Sequence, residues 1–544
     1  MGSSKKANNY LVQGTILAVA SILVRFIGIM YRIPMTNILG SEGNGIYTVA
    51  FNIYNIVLIL SSYSLPLAVS KMVATRSVKK EYRNAHKIFR SALLFSVVVG
   101  GLACSILYFS ADYLEAVYKT PGVARPLRVL APTVFVVAVL GVFRGLFQGK
   151  KTMIPTAFSQ ILEQVVNAFV SVYASYAFMK SHSASEEISA YGAAGGTLGT
   201  LMGALTALVF VLLVYILYRP TLKRQRKRDK TSHSESTLEI YKIMIFTIIP
   251  VVLSQTVYQI SGTLDDVIFG NVMSAKGISK LLTTDLRGVY GSQYRVLISL
   301  PIAISSAVAS SLVPSVVSAM ELRDYKDVKD KVRSSIKFNM IVAFPSAAGL
   351  AVLAHPIMQL LFPSLQNYSQ LAGNLLVTGS TAVIFYALST TTSAILQGIN
   401  KMRLPVIHSA VSLVIHVFLV FALLQFTNVR VYALIVGNIT FPLVVCILNG
   451  ISVSKELKYK QEIKKTFLVP LLSSSIMGII AFGSYLFFEH ITGSNLLGVL
   501  VSITLSIVSY FICILLFKCF DKEELLDMPL GRTIARIAEK MKLL

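Results

Sequence analysis

The sequence predicts an all-α polytopic membrane protein with about fourteen transmembrane helices, arranged as two pseudo-twofold six-helix lobes followed by a C-terminal helix pair. Three observations support this fold class: an apolar composition, apolar stretches of membrane-spanning length, and an internal repeat. Of the 544 residues, 54% are hydrophobic and 14% are charged, whereas a soluble domain carries roughly 25% charged residues. Because the apolar stretches recur along nearly the whole chain, a soluble domain with a single membrane anchor is excluded.

Fourteen apolar stretches are long enough to cross a bilayer, which requires about 20 mostly apolar residues per helix. They lack the period-two alternation that the strands of a β-barrel require, so each is predicted to be a helix. The stretches are residues 10–33, 46–70, 88–110, 126–148, 155–179, 193–218, 241–269, 288–319, 335–358, 372–398, 404–426, 431–453, 466–488 and 494–517.

The basic residues fall mainly in alternate loops, and this placement predicts the orientation of the chain. If the N-terminus is cytoplasmic, the strongly basic segments 71–87, 219–230, 323–337 and 455–465 all lie on the cytoplasmic side, whereas the opposite loops hold few basic residues, among them Arg287. This positive-inside bias predicts a multi-pass protein of the bacterial cell membrane with both termini in the cytoplasm. The net charge of +25 does not indicate nucleic-acid binding, because the basic residues form no patch interleaved with aromatic side chains.

The sequence predicts neither a metal site nor a cofactor. No glycine-lysine motif for binding ATP occurs. No loop exceeds about 25 residues or holds a nucleotide-binding or clustered-carboxylate constellation, so an enzymatic activity is not expected. The cysteines lie in or at the edges of predicted helices, without metal-binding spacing or a disulfide framework; they are Cys104, Cys446, Cys513 and Cys519.

Two parts of the chain resemble each other at an offset of 243 residues. Residues 81–95 align with residues 324–338, and Gly45 pairs with Gly288 at the same offset. Because the offset contains six predicted helices, an even number, both copies enter the membrane in the same direction, as in parallel repeats related by an axis along the membrane normal. The identities within the two aligned segments are Tyr82/Tyr325, Arg90/Arg333, Ser91/Ser334 and Phe95/Phe338.

The repeat predicts four regions in the chain. They are an N-terminal lobe at residues 1–218 with helices 1–6, a basic cytoplasmic linker at 219–240, a C-terminal lobe at 241–453 with helices 7–12, and residues 454–544 with helices 13 and 14 and a cytoplasmic tail. Two lobes with a cleft between them are typical of transporters, because rocking one lobe against the other exposes a central site to each side in turn.

Three arginines within predicted spans form the candidate binding site. An ionisable residue inside a span costs at least ~2.5–3.5 kcal/mol on insertion scales, so it requires a function or a partner. Arg25 and Arg32 lie seven residues apart on nearly one face of helix 1, and Arg295 lies in helix 8. Their guanidinium groups suit a diphosphate, whose oxygens they bind bidentately. The alternatives are snorkelling of Arg32 to the headgroups, and structural ion pairs for Arg25, with Glu163 or an aspartate, and for Arg295.

Carboxylates in two predicted helices are candidates for ion or proton coupling. Glu163 lies between Gln160 and Asn167 on one stripe of helix 5. This stripe either lines the cavity or joins helices by hydrogen bonds. Helix 7 contains Asp265 and Asp266, and adjacent carboxylates suggest a cation or proton site. Asp266 lies near the predicted helix end, where simple solvation is the alternative.

Several of these segments resemble one family of membrane proteins. Residues 21–32, which include Arg25 and Arg32, resemble the first helix of the MurJ-type lipid II flippases, members of the multidrug/oligosaccharidyl-lipid/polysaccharide (MOP) exporter superfamily. Leu39-Gly40, residues 49–52 and helix 8, from Tyr290 through Arg295 to residues 312–315, extend the resemblance. Residues 159–164 resemble the Gram-positive branch, the YtgP and SpoVB type. The resemblance covers the whole chain.

The resemblance implies an alternating-access flippase that moves lipid II, the undecaprenyl-diphosphate-linked peptidoglycan precursor, from the inner to the outer leaflet for cell-wall synthesis and cell shape. Its expected partners are the lipid-linked oligosaccharide, the bilayer and the cell-wall synthesis machinery, and the protein is expected to be a monomer. The expected substrate-binding residues are Arg25, Arg32, Arg295, Asn52 and Asn55, and the expected ion- or proton-coupling residues are Glu163, Asp265 and Asp266.

The sequence also departs from the family pattern. The arginine that the family carries in helix 2 has no counterpart in residues 55–60, which predicts a less basic cavity. Where some members bind sodium through helix 11, this chain has His416 and Val420, so sodium dependence is not expected; His408 and His416 are interpreted as packing residues. The alternative functions are export of another polyprenyl-linked polysaccharide precursor, drug/cation antiport within the same superfamily, a membrane-embedded enzyme, or a scaffold without transport.

Overall fold

The computed structural model describes residues 2–229 and 234–520, and the regular secondary structure in these ranges is entirely helical. The helices are α1 (Gly2–Ser61), α2 (Leu65–Val78), α3 (Tyr82–Phe109), α4 (Ala111–Tyr118), α5 (Ala124–Gly149), α6 (Ile154–Ser181), α7 (Ile188–Lys227), α8 (Thr237–Ala275), α9 (Lys280–Gly288), α10 (Arg295–Glu321), α11 (Tyr325–Val352), α12 (Ala354–Leu361), α13 (Gln366–Gly379), α14 (Ala382–Gly398), α15 (Arg403–Phe426), α16 (Tyr432–Leu457), α17 (Val469–Thr492) and α18 (Asn495–Leu516).

Helix length and hydropathy confirm a multi-pass membrane protein. In the described ranges, ten helical segments are long and apolar enough to span a membrane, or eleven if the bent pair Pro363–Gly379 and Ala382–Gly398 forms one span. All fourteen predicted apolar stretches fall largely on helical residues, but fourteen crossings remain a prediction. Residues 230–233 of the predicted linker and 521–544 of the predicted tail lie outside the described residues.

The chain forms two compact units, Met1–Ser292 and Gln293–Leu544. The first unit contains α1 to α9, so α8 and α9 contact α1 within it. The second unit contains α10 to α18, and its last two helices pack on each other, joined by a 3.1 Å hydrogen bond between the Ser484 and Ser502 hydroxyls. The sequence predicts that the two lobes meet at the linker, residues 219–240. These lobe boundaries remain a prediction.

A sharp break divides α1 at Gly40, whose φ of 68° lies in the left-handed region that glycine adopts without strain. Asn44 follows the break, and its side-chain amide donates hydrogen bonds to the carbonyl oxygens of Thr36 (2.8 Å) and Gly40 (2.6 Å). These bonds satisfy carbonyl groups that the interrupted helix leaves without helical partners. The break therefore brings the second half of α1 back beside the first.

A row of glycines on α7 lets α6 approach closely in the first unit. Gly195, Gly199 and Gly203 recur at four-residue spacing and face α6. A Cβ at Gly199 would overlap the Ser171 hydroxyl and come within 2.7 Å of the Asn167 carbonyl oxygen. Small residues at this spacing allow close backbone packing of membrane helices. The contact fixes the position of the polar stripe on α6.

Candidate functional site

Arg32 lies against two aromatic rings from the second half of α1. Its guanidinium carbon is 5.5 Å from the centre of the Tyr47 ring and 5.6 Å from that of Phe51. At these distances the rings attract the cation through their negative faces. The break at Gly40 makes this contact possible, because it folds residues 47 and 51 towards Arg32. Arg32 thus has protein partners, and snorkelling to the headgroups is not needed to explain it.

The other two predicted arginines lie in different units of the chain. Arg25 is exposed on α1 in the first unit, and Arg295 is half-buried at the start of α10 in the second. A π-helical segment, Val289–Tyr294, directly precedes Arg295, and such irregular turns are frequent at functional sites. The Tyr294 hydroxyl anchors this segment, at 3.0 Å from the Gly379 carbonyl oxygen and 2.9 Å from the Asn438 amide oxygen. That the two arginines act on one ligand remains a prediction.

Glu163 forms an ion pair with Arg144, which is not among the predicted site residues. Arg144 of α5 donates from Nη2 to the Glu163 carboxylate over 2.7 Å and from Nε to the Ser159 hydroxyl over 2.9 Å. The Arg144 side chain is only 12% exposed and that of Glu163 is 27% exposed. The pair therefore neutralises both charges between α5 and α6. Arg144 could have been noticed as one of the two charged residues inside its predicted span, residues 126–148; the other is Arg128, near the start of the span.

The rest of the polar stripe on α6 joins helices. The Asn167 amide nitrogen donates to the Tyr31 hydroxyl of α1 over 3.4 Å, and the Ser171 hydroxyl donates to the Asn167 amide oxygen over 2.8 Å. The Gln160 amide oxygen is buried without a hydrogen-bond partner. Two of the three stripe residues, Glu163 and Asn167, thus form hydrogen bonds to neighbouring helices. This favours the interpretation that the stripe holds helices together.

The structure brings together two predicted site residues, Asn52 and Asp266. The Asn52 amide donates to the Asp266 carboxylate over 2.7 Å, which links α1 to α8. Asp265 and Asp266 are each only 5% exposed. The alternative that Asp266 is simply solvated at a helix end is therefore wrong, because α8 continues to Ala275 and buries this carboxylate. Asn55, by contrast, is exposed on α1.

A buried arginine extends this contact into a network. Arg287, in α9, is 1% exposed. It donates to the Thr120 hydroxyl, to the Tyr118 carbonyl oxygen (3.1 Å) and to the Asp266 carbonyl oxygen. Gly270 leaves room for it, because a Cβ there would overlap the guanidinium group. The prediction that Arg287 lies in a loop was wrong, because the structure places it in helix α9, where it is buried.

The two histidines of α15 are packing residues, as predicted. His408 Nδ1 lies 2.7 Å from the Asn449 amide oxygen, and His416 Nδ1 lies 3.0 Å from the Gly437 carbonyl oxygen. Within the part of the chain that the structure describes, no group of three or more His, Cys, Asp or Glu side chains could hold a metal ion. The four cysteines are free thiols.

The described helices are long and apolar enough to define a multi-pass membrane protein, and its charged side chains Glu163, Asp266 and Arg287 have protein partners between helices. The chain belongs to the polysaccharide biosynthesis protein family, whose model matches residues 11–320. A MatE model matches residues 291–422. The resemblance to MurJ-type flippases is confirmed, because a relative named lipid II flippase MurJ matches most of this chain.

Two relatives come from Bacillus subtilis (strain 168). "Lipid II flippase MurJ" is 25% identical over 488 residues, covering 86% of this chain and 87% of the relative. "Stage V sporulation protein B" is 25% identical over 540 residues, covering 97% of this chain and 100% of the relative. The inward closed structure of lipid II flippase MurJ matches with a TM-score of 0.64 at 14% identity, covering 93% of this chain and 99% of the other. The inward-facing structure of a multidrug resistance MATE family transporter matches with a TM-score of 0.64 at 17% identity, covering 80% of this chain and 99% of the other. These structural matches establish the fold.

Proposed function

We propose that this protein is an alternating-access flippase that moves lipid II from the inner to the outer leaflet of the bacterial cell membrane. Fourteen crossings, in two six-helix lobes and a C-terminal pair, would place both termini in the cytoplasm. The observation that carries the proposal is the presence of Arg25, Arg32 and Arg295 in apolar spanning helices. A membrane-embedded guanidinium is costly, and its planar fork suits the diphosphate of the carrier lipid.

In the proposed cycle, the arginines hold the diphosphate while the lobes rock around it. The Asn52–Asp266 contact and the Arg287 network join α1 to α8 and α9 in this conformation. Opening the cleft on that side would require these bonds to break, and Asp266 takes part in both contacts. Asp265, Asp266 and Glu163 are the proposed ion- or proton-coupling groups. The cell-wall synthesis machinery would consume the product, and the flippase would act as a monomer.

Complementation tests the proposal directly. A strain depleted of its lipid II flippase should grow when it expresses this protein, and lipid II should become accessible at the outer face. Arg25→Ala and Arg295→Ala should abolish both readouts while the protein still accumulates. Arg219→Ala, which removes an exposed arginine in the C-terminal part of α7, is the matched control and should retain activity. Full activity in both alanine variants of the candidate site would contradict the role of the arginines.

A second candidate is export of another polyprenyl-linked polysaccharide precursor. It is favoured by the polysaccharide biosynthesis protein family model, which matches residues 11–320. Failure to complement, combined with an altered pool of a different lipid-linked glycan, would support this candidate.

A third candidate function is drug/cation antiport, because a multidrug transporter shares the fold over 80% of this chain. Drug resistance without complementation would support it.

A further inference from the structure

A solvent-accessible cavity of about 320 Å³ lies in the second unit, away from the candidate transport site. It is formed by the second and third turns of α11 and by the segment that connects α16 to α17. Its size is near the lower end of the range for small-ligand sites, about 300–1,000 Å³. The lining residues are Lys329, Asp330, Arg333, Lys458, Tyr459, Lys460 and Glu462.

The charges that line the cavity favour an anion. Four of the lining residues are basic and two are acidic. Arg333 donates to Glu462 from Nε (2.9 Å) and from Nη2 (2.6 Å), and the buried Lys337 lies 3.7 Å from the same carboxylate. Glu462 is therefore already neutralised by the protein. The lysines at the cavity wall remain as cationic groups for a ligand.

Tyr459 supplies an independent indication of a ligand. It is 8% exposed, and its hydroxyl is buried without a hydrogen-bond partner, which costs about 1–3 kcal/mol unless a partner is found. Burial raises the pKa of Tyr459 to about 12, against the lowering effect of Arg333. The phenol is thus protonated at neutral pH and can donate to an anion. Tyr459 itself is one of the residues that line the cavity.

The first unit has a much smaller cavity beside His86, the residue that the repeat relates to Lys329. Lys329 and Arg333 align with His86 and Arg90 at the offset of 243. Beside His86, side chains of α7 including Leu222 fill the space and leave only about 10 Å³. The cavity is therefore a feature of the second repeat and does not follow from the duplicated plan alone.

We infer that this cavity binds a phosphate group, presented either by an anionic lipid headgroup or by a soluble phosphate compound. The lysine ammonium groups supply point charges for phosphate oxygens, and the Tyr459 hydroxyl supplies a directed donor. The site lies where α11 begins, α16 ends and α17 begins, at the membrane boundary that is predicted to be cytoplasmic. Basic pockets between membrane helices on that side are suited to lipid headgroups.

The test uses the full-length protein with two probes. Inorganic phosphate is titrated into detergent-solubilised protein by calorimetry, and retention of phosphatidylglycerol is measured by native mass spectrometry from nanodiscs of equal parts phosphatidylglycerol and phosphatidylcholine. The pocket variant is Lys329→Gln/Lys458→Gln/Lys460→Gln. The control variant, Lys326→Gln/Lys455→Gln/Lys464→Gln, removes the same charge from exposed lysines outside the cavity.

The pocket variant should weaken binding of its probe at least about tenfold, whereas the control variant should stay within about twofold. Tyr459→Phe keeps the ring and should weaken binding about three- to tenfold by removing one hydrogen bond. Phosphate binding with this pattern identifies a soluble ligand. Lipid retention with this pattern, without phosphate binding, identifies a headgroup. Binding of neither probe, or equal loss in both triple variants, would overturn the inference. Neither readout depends on transport, so failure of the proposed flippase function would leave this test intact.

Discussion

At the scale of single residues, the charges inside the first unit are held by specific partners. Arg144 and Glu163 form an ion pair, and Arg32 lies against two aromatic rings. A buried ion pair gains little over a well-packed apolar pair, but removing one partner leaves an uncompensated charge. Removing one charge of the Arg144–Glu163 pair should therefore lower the free energy of unfolding more than removing both charges does.

We predict that Arg144→Met alone destabilises the protein by about 2 kcal/mol, less than the 3–5 kcal/mol of a fully buried pair because Glu163 is 27% exposed. The double variant Arg144→Met/Glu163→Met should recover most of this loss. The midpoint of unfolding is measured by size-exclusion chromatography after heating. This method does not need tryptophan fluorescence, and the chain has no tryptophan. Equal stability of wild type and Arg144→Met would contradict the pairing. A stable but inactive double variant would assign Glu163 a role in transport.

The sequence predicted which residues are charged inside the membrane but only some of their partners. Arg32 and Asp266 were recognised because a charged group within an apolar stretch stands out, whereas Asn52 was expected from the resemblance to the MurJ-type family. The partners Arg144 and Arg287 were missed, because an ion pair between helices depends on side chains brought together by packing. Hydropathy reports on each helix separately and contains no information about which helix is adjacent.

At the scale of elements, the glycine row on α7 sets how closely α6 approaches. We predict that Gly199→Leu destabilises the protein by about 1–3 kcal/mol or more, because the new side chain would overlap Ser171 and the α6 backbone. Gly101→Leu is the matched control: a Cβ at that position of α3 meets nothing within 4 Å. Unfolding midpoints in detergent should separate the two variants. Similar midpoints would show that the close contact is not needed.

The positions of the spanning helices were predictable because a helix that faces lipid must be apolar over about 20 residues. The interruptions were harder to predict. Gly40 breaks α1, and Pro363–Gly379 meets Ala382–Gly398 at a bend of 44°. A single glycine is also tolerated inside a straight helix, so a glycine in the sequence does not by itself predict a break. Only the positive φ of Gly40 distinguishes it from the glycines that serve packing.

At the scale of the whole molecule, the predicted orientation makes a topological test possible. Cysteine placed at Ser234, between α7 and α8, should react with an impermeant reagent only from the cytoplasm. Cysteine placed at Thr492, at the end of α17, should react only from outside. Both sites are exposed, whereas the native cysteines are buried or half-buried. Reaction of both sites from the same side would refute the arrangement of fourteen crossings with cytoplasmic termini.

The negative charge of the diphosphate bears on the energy source of the proposed transport. The chain has no ATP-binding motif of the glycine-lysine type, so the energy must come from a gradient or from consumption of the product. Outward movement of an anionic diphosphate is favoured by an inside-negative potential, by ~2.3 kcal/mol per charge per 100 mV. His416 occupies a hydrogen-bonded packing position on α15, which does not favour a sodium ligand there.

We therefore predict that transport depends on the membrane potential, that sodium is dispensable, and that any pH dependence disappears with Glu163 or Asp265. Outer-face lipid II should fall in cells treated with valinomycin and potassium, and should be unchanged in sodium-free medium. Asp265→Asn should flatten a pH profile that Glu186→Gln, which removes an exposed carboxylate between α6 and α7, leaves intact. Loss of transport on sodium removal, with flipping unaffected by collapse of the potential, would instead assign the coupling to sodium.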